Sequence, residues 1–205
     1  MSIQAVIFDL GGVLLRTEDR STRHKLAERF GISYAELEEL VFFSTTGKLA
    51  SVGRVSSQQH WQTVAEELGI SSQEIENFQK EYFEGDRLDM EMIDFIRSLR
   101  KEYRTALLTN AWDNLRSWLE ELGVSDAFDH LIISAELGLA KPDPRLYNLA
   151  LEQIGVKAEQ AILVDDFIEN VEGARSVGMQ AILFKNPSQA RKELAALLGV
   201  DKDQG

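Results

Sequence analysis

The sequence predicts an α/β protein, a doubly wound parallel sheet that carries a small four-helix domain inserted after the first strand. Short apolar runs without the alternation of a half-exposed strand recur along the chain, and amphipathic helix patterns separate them. Strand, crossover helix and strand repeated in this way are typical of a parallel sheet. Between residues 22 and 84, in contrast, only helix patterns occur. We therefore expect an α/β core formed by residues 1–16 and 87–205 and a helical domain formed by residues 17–86.

Composition limits the classes of protein that the chain can represent. With 205 residues, 44% of them hydrophobic, it can bury one substantial core and a small second domain. A formal net charge of −12 disfavours nucleic acid and anionic membranes as partners, because the long-range field repels both. The sequence has no cysteine, which excludes disulfides, thiolate metal sites and a cysteine nucleophile. No basic leader precedes the first apolar run, so a cytoplasmic location is the expectation.

The first predicted strand, Ala5–Phe8, is followed by a carboxylate. Its four residues are apolar, as in a strand that is buried on both faces of a parallel sheet. Asp9 comes next, at the carboxyl end of the strand, where ligands bind in open α/β sheets. Gly11 and Gly12 then allow a sharp turn and a close approach of the backbone to an anion or metal. Asp9 is accordingly predicted to be functional, although capping a turn is the simpler role open to it.

Four amphipathic helices are predicted in the inserted domain. Three of them begin with a serine followed three residues later by Glu or Gln, the pattern of a capping box, and glycines end most of them. Their predicted inner faces are Leu26, Ala27 and Phe30; Leu37, Leu40 and Val41; Trp61, Val64, Ala65 and Leu68; and Ile75, Phe78 and Tyr82. Residues 44–54 are expected to connect the second and third helices, and residues 16–21 and 85–89 to act as hinges.

After residue 89 the α/β alternation resumes. Further buried strands are predicted near residues 105–108, 131–133, 161–164 and 181–184, with helices between them. Leucines at positions 194, 197 and 198 predict a closing helix, and residues 201–205 are expected to form a frayed polar tail.

Polar side chains follow two of these strands at their carboxyl ends. Thr109 and Asn110 offer a hydroxyl and an amide that can donate to phosphoryl oxygens. Asp165 and Asp166 end a later strand, and two adjacent carboxylates repel each other unless a cation lies between them and Asp9. Such hard oxygen ligands suit Mg²⁺.

A lysine completes the set of candidate site residues. Lys141 lies in the stiff loop Gly138–Pro144, from which its ammonium group could be held against the same anion. Taken singly, residues of these types are ordinary turn residues, surface charges or helix caps. Their occurrence together, in this order along an α/β chain, favours a functional site.

These residues stand in four motifs, through which the chain resembles the haloacid dehalogenase superfamily over nearly its whole length. The motifs are Asp9 in Phe-Asp-Leu-Gly-Gly-Val, Thr109 in Leu-Leu-Thr-Asn, Lys141 in Lys-Pro-Asp-Pro, and Asp165-Asp166 with Asn170 four residues on. The helical insert after the first motif is similar to the helical cap of one subgroup. The resemblance implies a Rossmann-like core with a cap domain, and Mg²⁺-dependent phosphatase activity on a small phosphomonoester.

The resemblance also implies roles for individual residues. Asp9 would be the nucleophile that forms an aspartyl-phosphate, and Thr109 and Lys141 would hold the transferring group. The implied ligands of Mg²⁺ are Asp9, the backbone carbonyl of Gly11, Asp166 and, through water, Asp165. Physical chemistry agrees with these roles, since a carboxylate that attacks a phosphomonoester needs positive charge to offset the mutual repulsion.

One position departs from the family pattern. Phosphatases of the family usually carry a second aspartate two residues after the nucleophile, as acid and base, and here that position is Gly11. Loss of such a group commonly costs about 10²–10⁴-fold in rate. The preferred interpretation is a phosphatase that uses activated leaving groups, such as sugar 1-phosphates, or that recruits a cap residue. His24 and His60 are candidates for that residue, although both are predicted to be solvated helix residues.

Two other classes stay open. A 2-haloacid dehalogenase also lacks that aspartate, needs no metal and relies on a cap arginine, for which Arg54 is the candidate. The Asp165-Asp166 pair argues against this class, because carboxylates beside a nucleophilic carboxylate need a cation. The third class is a phosphate-ligand binding module with weak or no catalysis.

The cap is expected to choose the substrate. Predicted substrate contacts are Asn110, Gly11, Arg54 and Trp112, the last at the mouth of the pocket. Phe42 and Phe43 are predicted to belong to the cap core instead. The expected partner is a small phosphorylated metabolite, and the sequence is compatible with a monomer or a homodimer.

Overall fold

The computed structural model describes residues 2–199, so the predicted tail at 201–205 lies outside the described residues. The described strands are β1 (Ala5–Phe8), β2 (Leu15–Thr17), β3 (Asp86–Leu88), β4 (Arg104–Thr109), β5 (His130–Ile133), β6 (Ala161–Asp165) and β7 (Gln180–Leu183). Five of them form a parallel sheet in the order β5-β4-β1-β6-β7. This order confirms the predicted fold class.

The central position of β1 explains its sequence. It pairs with β4 on one side and with β6 on the other, and Ile7 is in register with Ala106 and Leu163. All four residues of β1 are fully buried, and alternate residues pack into two separate hydrophobic clusters. Because both faces of the strand are covered, every position is apolar and the sequence does not alternate.

The inserted residues form a helical domain, here called the cap, with a hydrophobic cluster of its own. Its elements are α1 (Ser21–Phe30), α2 (Tyr34–Glu38), a π-helical turn (Glu39–Phe43), α3 (Thr45–Ser51), α4 (Ser57–Leu68) and α5 (Ile75–Phe83). The predicted inner faces meet in this cluster, where Leu37, Trp61 and Tyr82 are among the buried members.

The prediction of four cap helices is wrong by one. The additional helix, α3, lies within residues 44–54, which the sequence predicts to be a connection. Its start is set by Ser44, whose hydroxyl accepts from the N–H of Gly47 at 3.2 Å. Gly47 in turn lies so close to the π-helical turn that a β-carbon would stand 3.0 Å from the carbonyl oxygen of Phe42. This packing, rather than an apolar stripe, holds α3 in place, so periodicity does not reveal it.

The two passages between cap and core are paired with each other. β2 and β3 form a two-stranded antiparallel ribbon in which Arg16 is in register with Arg87. Beside it, Gly85 approaches the backbone so closely that a β-carbon would stand 1.7 Å from the carbonyl oxygen of Asp19. The sequence predicts both passages to be hinges. It does not reveal the ribbon, because strands of three residues with charged side chains leave no strand pattern.

Six helices of the described chain complete the core. They are α6 (Met90–Leu99), α7 (Leu115–Glu121), α8 (Ser134–Leu137), α9 (Pro144–Ile154), α10 (Ile168–Ser176) and α11 (Pro187–Leu198), and short 3₁₀ turns at Ser125–Ala127 and Ala158–Gln160 lead into β5 and β6. Over residues 2–199, no helix combines the length and apolar character needed to span a bilayer.

A buried arginine on α1 joins this helix to α2, α5 and β3. Arg23, on α1, donates from Nη2 to both carboxylate oxygens of Asp86, at 2.7 and 2.8 Å, and from Nε to the backbone carbonyl of Tyr82 at 2.9 Å. Its Nη1 also pairs with Glu38 at 3.2 Å. The Arg23 side chain is only 4% exposed, so its charge and those of its partners depend on one another.

We expect Arg23→Ala to lower the free energy of unfolding by about 3–5 kcal/mol, because it leaves partly buried carboxylates without a counter-charge. Arg29→Ala is the matched control, since Arg29 pairs with Glu81 at the surface at 2.9 Å. An exposed pair of this kind is worth about 1 kcal/mol or less. Urea denaturation measures both, and equal losses in the two variants would contradict the assignment.

Candidate active site

The carboxyl ends of three neighbouring strands meet at one edge of the sheet. Asp9 follows β1 directly, Thr109 is the last residue of β4, and Asp165 is the last residue of β6. Because β1 lies between β4 and β6, these positions are neighbours. All three side chains are buried.

Lys141 reaches this edge from the loop between α8 and α9. Its Nζ lies 2.8 Å from Oδ1 of Asp9 and 2.6 Å from Oδ2 of Asp165, and its side chain is 1% exposed. Burial by itself lowers the pKa of Lys141, but the two carboxylates outweigh this effect, and the pKa lies above its usual value. Lys141 is therefore a fixed cation at neutral pH.

Both carboxylate oxygens of Asp165 accept hydrogen bonds from protein groups. Its Oδ2 accepts from Lys141, and its Oδ1 accepts from the N–H of Phe167 and from Nδ2 of Asn170, both at 2.9 Å. Asp165 is completely buried, and these charge-assisted hydrogen bonds keep the carboxylate satisfied without water. Its side chain therefore joins the ammonium group of Lys141 to the start of α10.

Asp9 presents its two carboxylate oxygens differently. Oδ1 accepts from the N–H of Leu10 at 2.7 Å and contacts Nζ of Lys141. Over residues 2–199, no hydrogen bond reaches Oδ2. Burial raises the pKa of Asp9, Lys141 opposes the shift, and the charge of Asp165 adds to it.

Asp166 provides the observation that points to a metal. Oxygens of Asp9, Asp165 and Asp166 all lie within 4.8 Å of one another. Oδ1 of Asp166 is buried and has no hydrogen-bond partner among the described residues. Burial, and then the charges of Asp9 and Asp165, raise the pKa of Asp166 to about 6. A buried carboxylate oxygen without a donor, among three carboxylates and one ammonium, fits a hard divalent cation such as Mg²⁺.

Gly12 allows the loop after β1 to lie against this carboxylate. Its φ is +74°, a conformation that favours glycine, and a β-carbon there would stand 2.0 Å from Oδ2 of Asp166. At Gly11, in contrast, a β-carbon would meet nothing within 4 Å. The predicted roles of Gly11, through its carbonyl on the metal and as a substrate contact, stay predictions.

The remaining predicted substrate contacts lie in different surroundings. Asn110 forms two hydrogen bonds with the main chain of Lys141, at 2.8 and 2.9 Å. Trp112 is half-buried against the cap cluster, stacked on Phe42 with ring centroids 5.9 Å apart. Arg54 is exposed, and its side chain makes no ion pair or hydrogen bond within residues 2–199. In the described part of the chain, no contact links Arg54 to the carboxylates.

Two expectations about aromatic side chains in the cap are wrong. His60 is fully buried instead of solvated: its Nε2 lies 2.8 Å from the carbonyl oxygen of Val41 and its Nδ1 lies 2.9 Å from the hydroxyl of Thr46. The π-helical turn and α3 supply these partners, and neither shows in the local sequence. Phe43 is 45% exposed instead of part of the cap core, whereas Phe42 packs against that core as predicted.

Sequence reasoning missed one residue that joins the cap to the site. Ser134 directly follows β5 and is fully buried. Its hydroxyl donates to the carbonyl of Ser51 on α3 at 2.5 Å and accepts from the N–H of Ala111 at 2.9 Å. Ala111 lies two residues after Thr109, so Ser134 connects the cap with the loop after β4. The strand-end rule that selects Asp9 and Thr109 would also have selected Ser134.

Comparison with known proteins assigns the class. A model of haloacid dehalogenase-like hydrolases matches residues 3–178, which include Asp9, Thr109, Lys141 and Asp166. The chain belongs to this family of hydrolases, as its resemblance in sequence indicates.

Curated relatives include phosphatases of similar length. The chain is 25% identical to D-ribitol-5-phosphate phosphatase of Bacteroides thetaiotaomicron, over 96% of this chain and 98% of the relative. It is 30% identical to a phosphatase of Mycobacterium tuberculosis, over 93% of this chain and 91% of the relative. The chain covers only 40% of another relative, bifunctional epoxide hydrolase 2 of Sus scrofa, at 26% identity over 98% of its own length. It covers 19% of the Mus musculus protein of the same name.

Solved structures share the fold. A haloacid dehalogenase family enzyme of Bacteroides thetaiotaomicron, in complex with magnesium and inorganic phosphate, has a TM-score of 0.75 at 22% identity and covers 92% of this chain and 99% of its own. L-2-haloacid dehalogenase of Xanthobacter autotrophicus has a TM-score of 0.64 at 18% identity and covers 95% of this chain and 83% of its own. At these identities, the likeness concerns the fold alone.

We expect Gly12→Ala to weaken Mg²⁺ binding by about tenfold or more, because the new methyl group displaces the Asp166 carboxylate and strains the backbone. Gly123→Ala, at the end of α7, is the matched control and should retain the affinity of the unmodified protein, since Gly123 also has a positive φ, +66°, but its methyl group enters open space. Calorimetric titration with MgCl₂ gives both affinities. Equal affinities in the two variants would show that Asp166 does not hold the ion.

The affinity for Mg²⁺ should also depend on pH. Because the pKa of Asp166 is raised to about 6, the carboxylate is charged above this pH and protonated below it. A proton then competes with the metal, so we expect the affinity to fall by up to about tenfold per pH unit below pH 6 and to be nearly constant above pH 7. Titrations between pH 5 and pH 8 measure this profile, and a flat profile would be inconsistent with Asp166 as a ligand.

Proposed function

We propose that the chain is a Mg²⁺-dependent phosphatase that hydrolyses a small phosphomonoester through an aspartyl-phosphate on Asp9. The observation that carries the proposal is the buried ammonium group of Lys141, held between Asp9 and Asp165 beside the unpartnered oxygen of Asp166. Full-length relatives named as phosphatases support the same chemistry.

Asp9 has the geometry of a nucleophile that is held at one oxygen. Leu10 and Lys141 fix Oδ1, so Oδ2 is the oxygen that can attack phosphorus. As the bond from Oδ2 to phosphorus forms, the bond from phosphorus to the ester oxygen breaks, and the departing alkoxide takes a proton from solvent. In the second step water attacks phosphorus while the bond from phosphorus to Oδ2 breaks, a proton of the water passes to solvent, and phosphate and the free Asp9 carboxylate are released.

The other site residues offset charge and orient the phosphoryl group. Lys141 carries the positive charge nearest to Oδ1 of Asp9. The hydroxyl of Thr109, the last residue of β4, would donate to a phosphoryl oxygen. Asp9, Asp166 and the carbonyl of Gly11 would hold Mg²⁺, which supplies positive charge between the carboxylates and the substrate when bound.

A phosphorylated sugar or polyol is the substrate class that we favour. One relative is named D-ribitol-5-phosphate phosphatase, and another, 35% identical over 100 residues, is named glyceraldehyde 3-phosphate phosphatase, from Pyrococcus furiosus. Since Gly11 provides no acid, leaving groups that depart without protonation, such as the anomeric oxygen of a sugar 1-phosphate, should react fastest. The small phosphorylated metabolite is the partner that this function requires.

We expect Asp9→Asn to reduce phosphate release by about 10⁴-fold or more, since the nucleophile is lost. Asp94→Asn is the control, because Asp94 is an exposed acid that pairs with Arg97 on the surface of α6. The assay measures phosphate released from sugar phosphates and p-nitrophenyl phosphate, with MgCl₂ and then with chelator. Circular dichroism confirms that both variants are folded.

The alternatives give different results in the same experiments. Phosphate release that persists in Asp9→Asn would remove Asp9 from the nucleophile role. Chloride release from 2-chloropropionate without metal would indicate a dehalogenase. Binding of Mg²⁺ and sugar phosphates without turnover of any substrate would indicate a binding module.

A further inference from the structure

We propose that Asn110 is a positioning residue, whose side-chain amide holds the main chain of Lys141 and so places the Lys141 ammonium group between Asp9 and Asp165. The sequence predicts instead that Asn110 contacts substrate. The two roles differ in what they imply for the protein without substrate. The proposal rests on the proposed function only for the interpretation of its second measurement.

The geometry of the pair is reciprocal. Oδ1 of Asn110 accepts from the N–H of Lys141 at 2.8 Å, and Nδ2 of Asn110 donates to the carbonyl oxygen of Lys141 at 2.9 Å. One side chain therefore satisfies both main-chain polar groups of one residue, as a neighbouring strand does in a ladder. The orientation of the amide follows from these partners, because the reverse orientation would set donor against donor and acceptor against acceptor.

Among the described residues, the main chain of Lys141 has no other hydrogen-bonding support. Lys141 lies outside all helices and strands, and over residues 2–199 its N–H and carbonyl make no hydrogen bond to another backbone group. The nearest internal bond of the loop joins the N–H of Asp143 to the carbonyl of Ala140 at 3.0 Å. The Asn110 amide thus replaces the ladder that fixes Asp9, Thr109 and Asp165 on their strands.

The two hydrogen bonds between Asn110 and Lys141, here called the clamp, begin at a residue close to Asp9. Asn110 follows Thr109 directly at the end of β4, and β4 is the neighbour of β1 in the sheet. The clamp therefore ties the loop of Lys141 to the strand beside Asp9. Nζ of Lys141 contacts both carboxylates, and the Lys141 side chain is only 1% exposed. A small shift of the loop therefore changes the distance between this positive charge and Asp9. A misplacement of about 1 Å at such a site can cost about 10²-fold in rate.

A contact with substrate is the rival role, because the second N–H of Nδ2 is not used by Lys141. Such a contact would change the binding of substrate and phosphate. It would not change the position or accessibility of Lys141 in their absence. The position and accessibility of Lys141 in the free protein therefore distinguish the two roles.

The first measurement labels amines with acetic anhydride in the protein without metal and substrate, and mass spectrometry follows Lys141 relative to the exposed Lys48. We expect Lys141 to react about tenfold faster in Asn110→Ala than in the unmodified protein, as for the loss of a pair of hydrogen bonds. Asn114→Ala is the matched control in the same loop, since its exposed side chain makes no cap hydrogen bond. Unchanged labelling in Asn110→Ala would overturn the proposal.

The second measurement is a double-mutant cycle of Asn110→Ala and Lys141→Ala, read as the affinity for inorganic phosphate with MgCl₂ present. If Asn110 acts through Lys141, its substitution weakens binding about tenfold in the unmodified protein and less than about twofold in Lys141→Ala. Equal effects in both backgrounds would mean a direct contact with phosphate and would overturn the proposal.

The labelling experiment decides the question alone if Lys141→Ala does not fold, because it needs neither that variant nor activity. Faster labelling together with no phosphatase activity on any substrate would support the positioning role and contradict the proposed function. Failure of the positioning role and failure of the proposed function are therefore distinguishable.

Discussion

The ammonium group of Lys141 is shared by two carboxylates that belong to different strands and is excluded from water. Buried charges of this kind are tolerated only while they stay paired, so β1, β6 and the Lys141 loop must keep a fixed spacing. The surrounding structure supplies that spacing: Asn170 holds Asp165, and the hydroxyl of Tyr147 donates to the carbonyl of Asn170 at 2.9 Å. Support for a single ion pair thus extends from the sheet edge into α9 and α10.

The same cluster is unbalanced in charge. Asp9, Asp165 and Asp166 face one lysine, and Lys141 contacts only the first two of them. Asp166 is left with a buried oxygen that has no partner among the described residues, and burial and the neighbouring carboxylates raise its pKa to about 6, as expected for a carboxylate that lacks a counter-charge. Without a bound cation, the surplus negative charge would repel a phosphate ester. In the proposed function, binding of the anionic substrate would therefore depend on the bound cation.

The sequence predicts the parts of this protein that depend on local pattern or on strand ends. The buried strand before Asp9 and the polar residues at the ends of β4 and β6 follow from apolar runs and from a general rule of α/β sheets. The sequence does not predict α3, the burial of His60 or the β2–β3 ribbon. These features arise where backbone carbonyls, a close glycine or a distant strand supply the partner, and such tertiary contacts leave no periodicity.

The pairing of β2 with β3 brings the entry and the exit of the cap side by side. To the core, the whole cap is then a single loop with closed ends, and the entropic cost of a flexible loop grows by only about 0.6 kcal/mol for each doubling of its length. A cap that folds around its own aromatic cluster can consequently change in length at little entropic cost, provided that its contacts with the core, such as that of Ser51 with Ser134, are kept. Insertions and deletions in the cap can thus accumulate while the charged residues at the edge of the sheet stay in place.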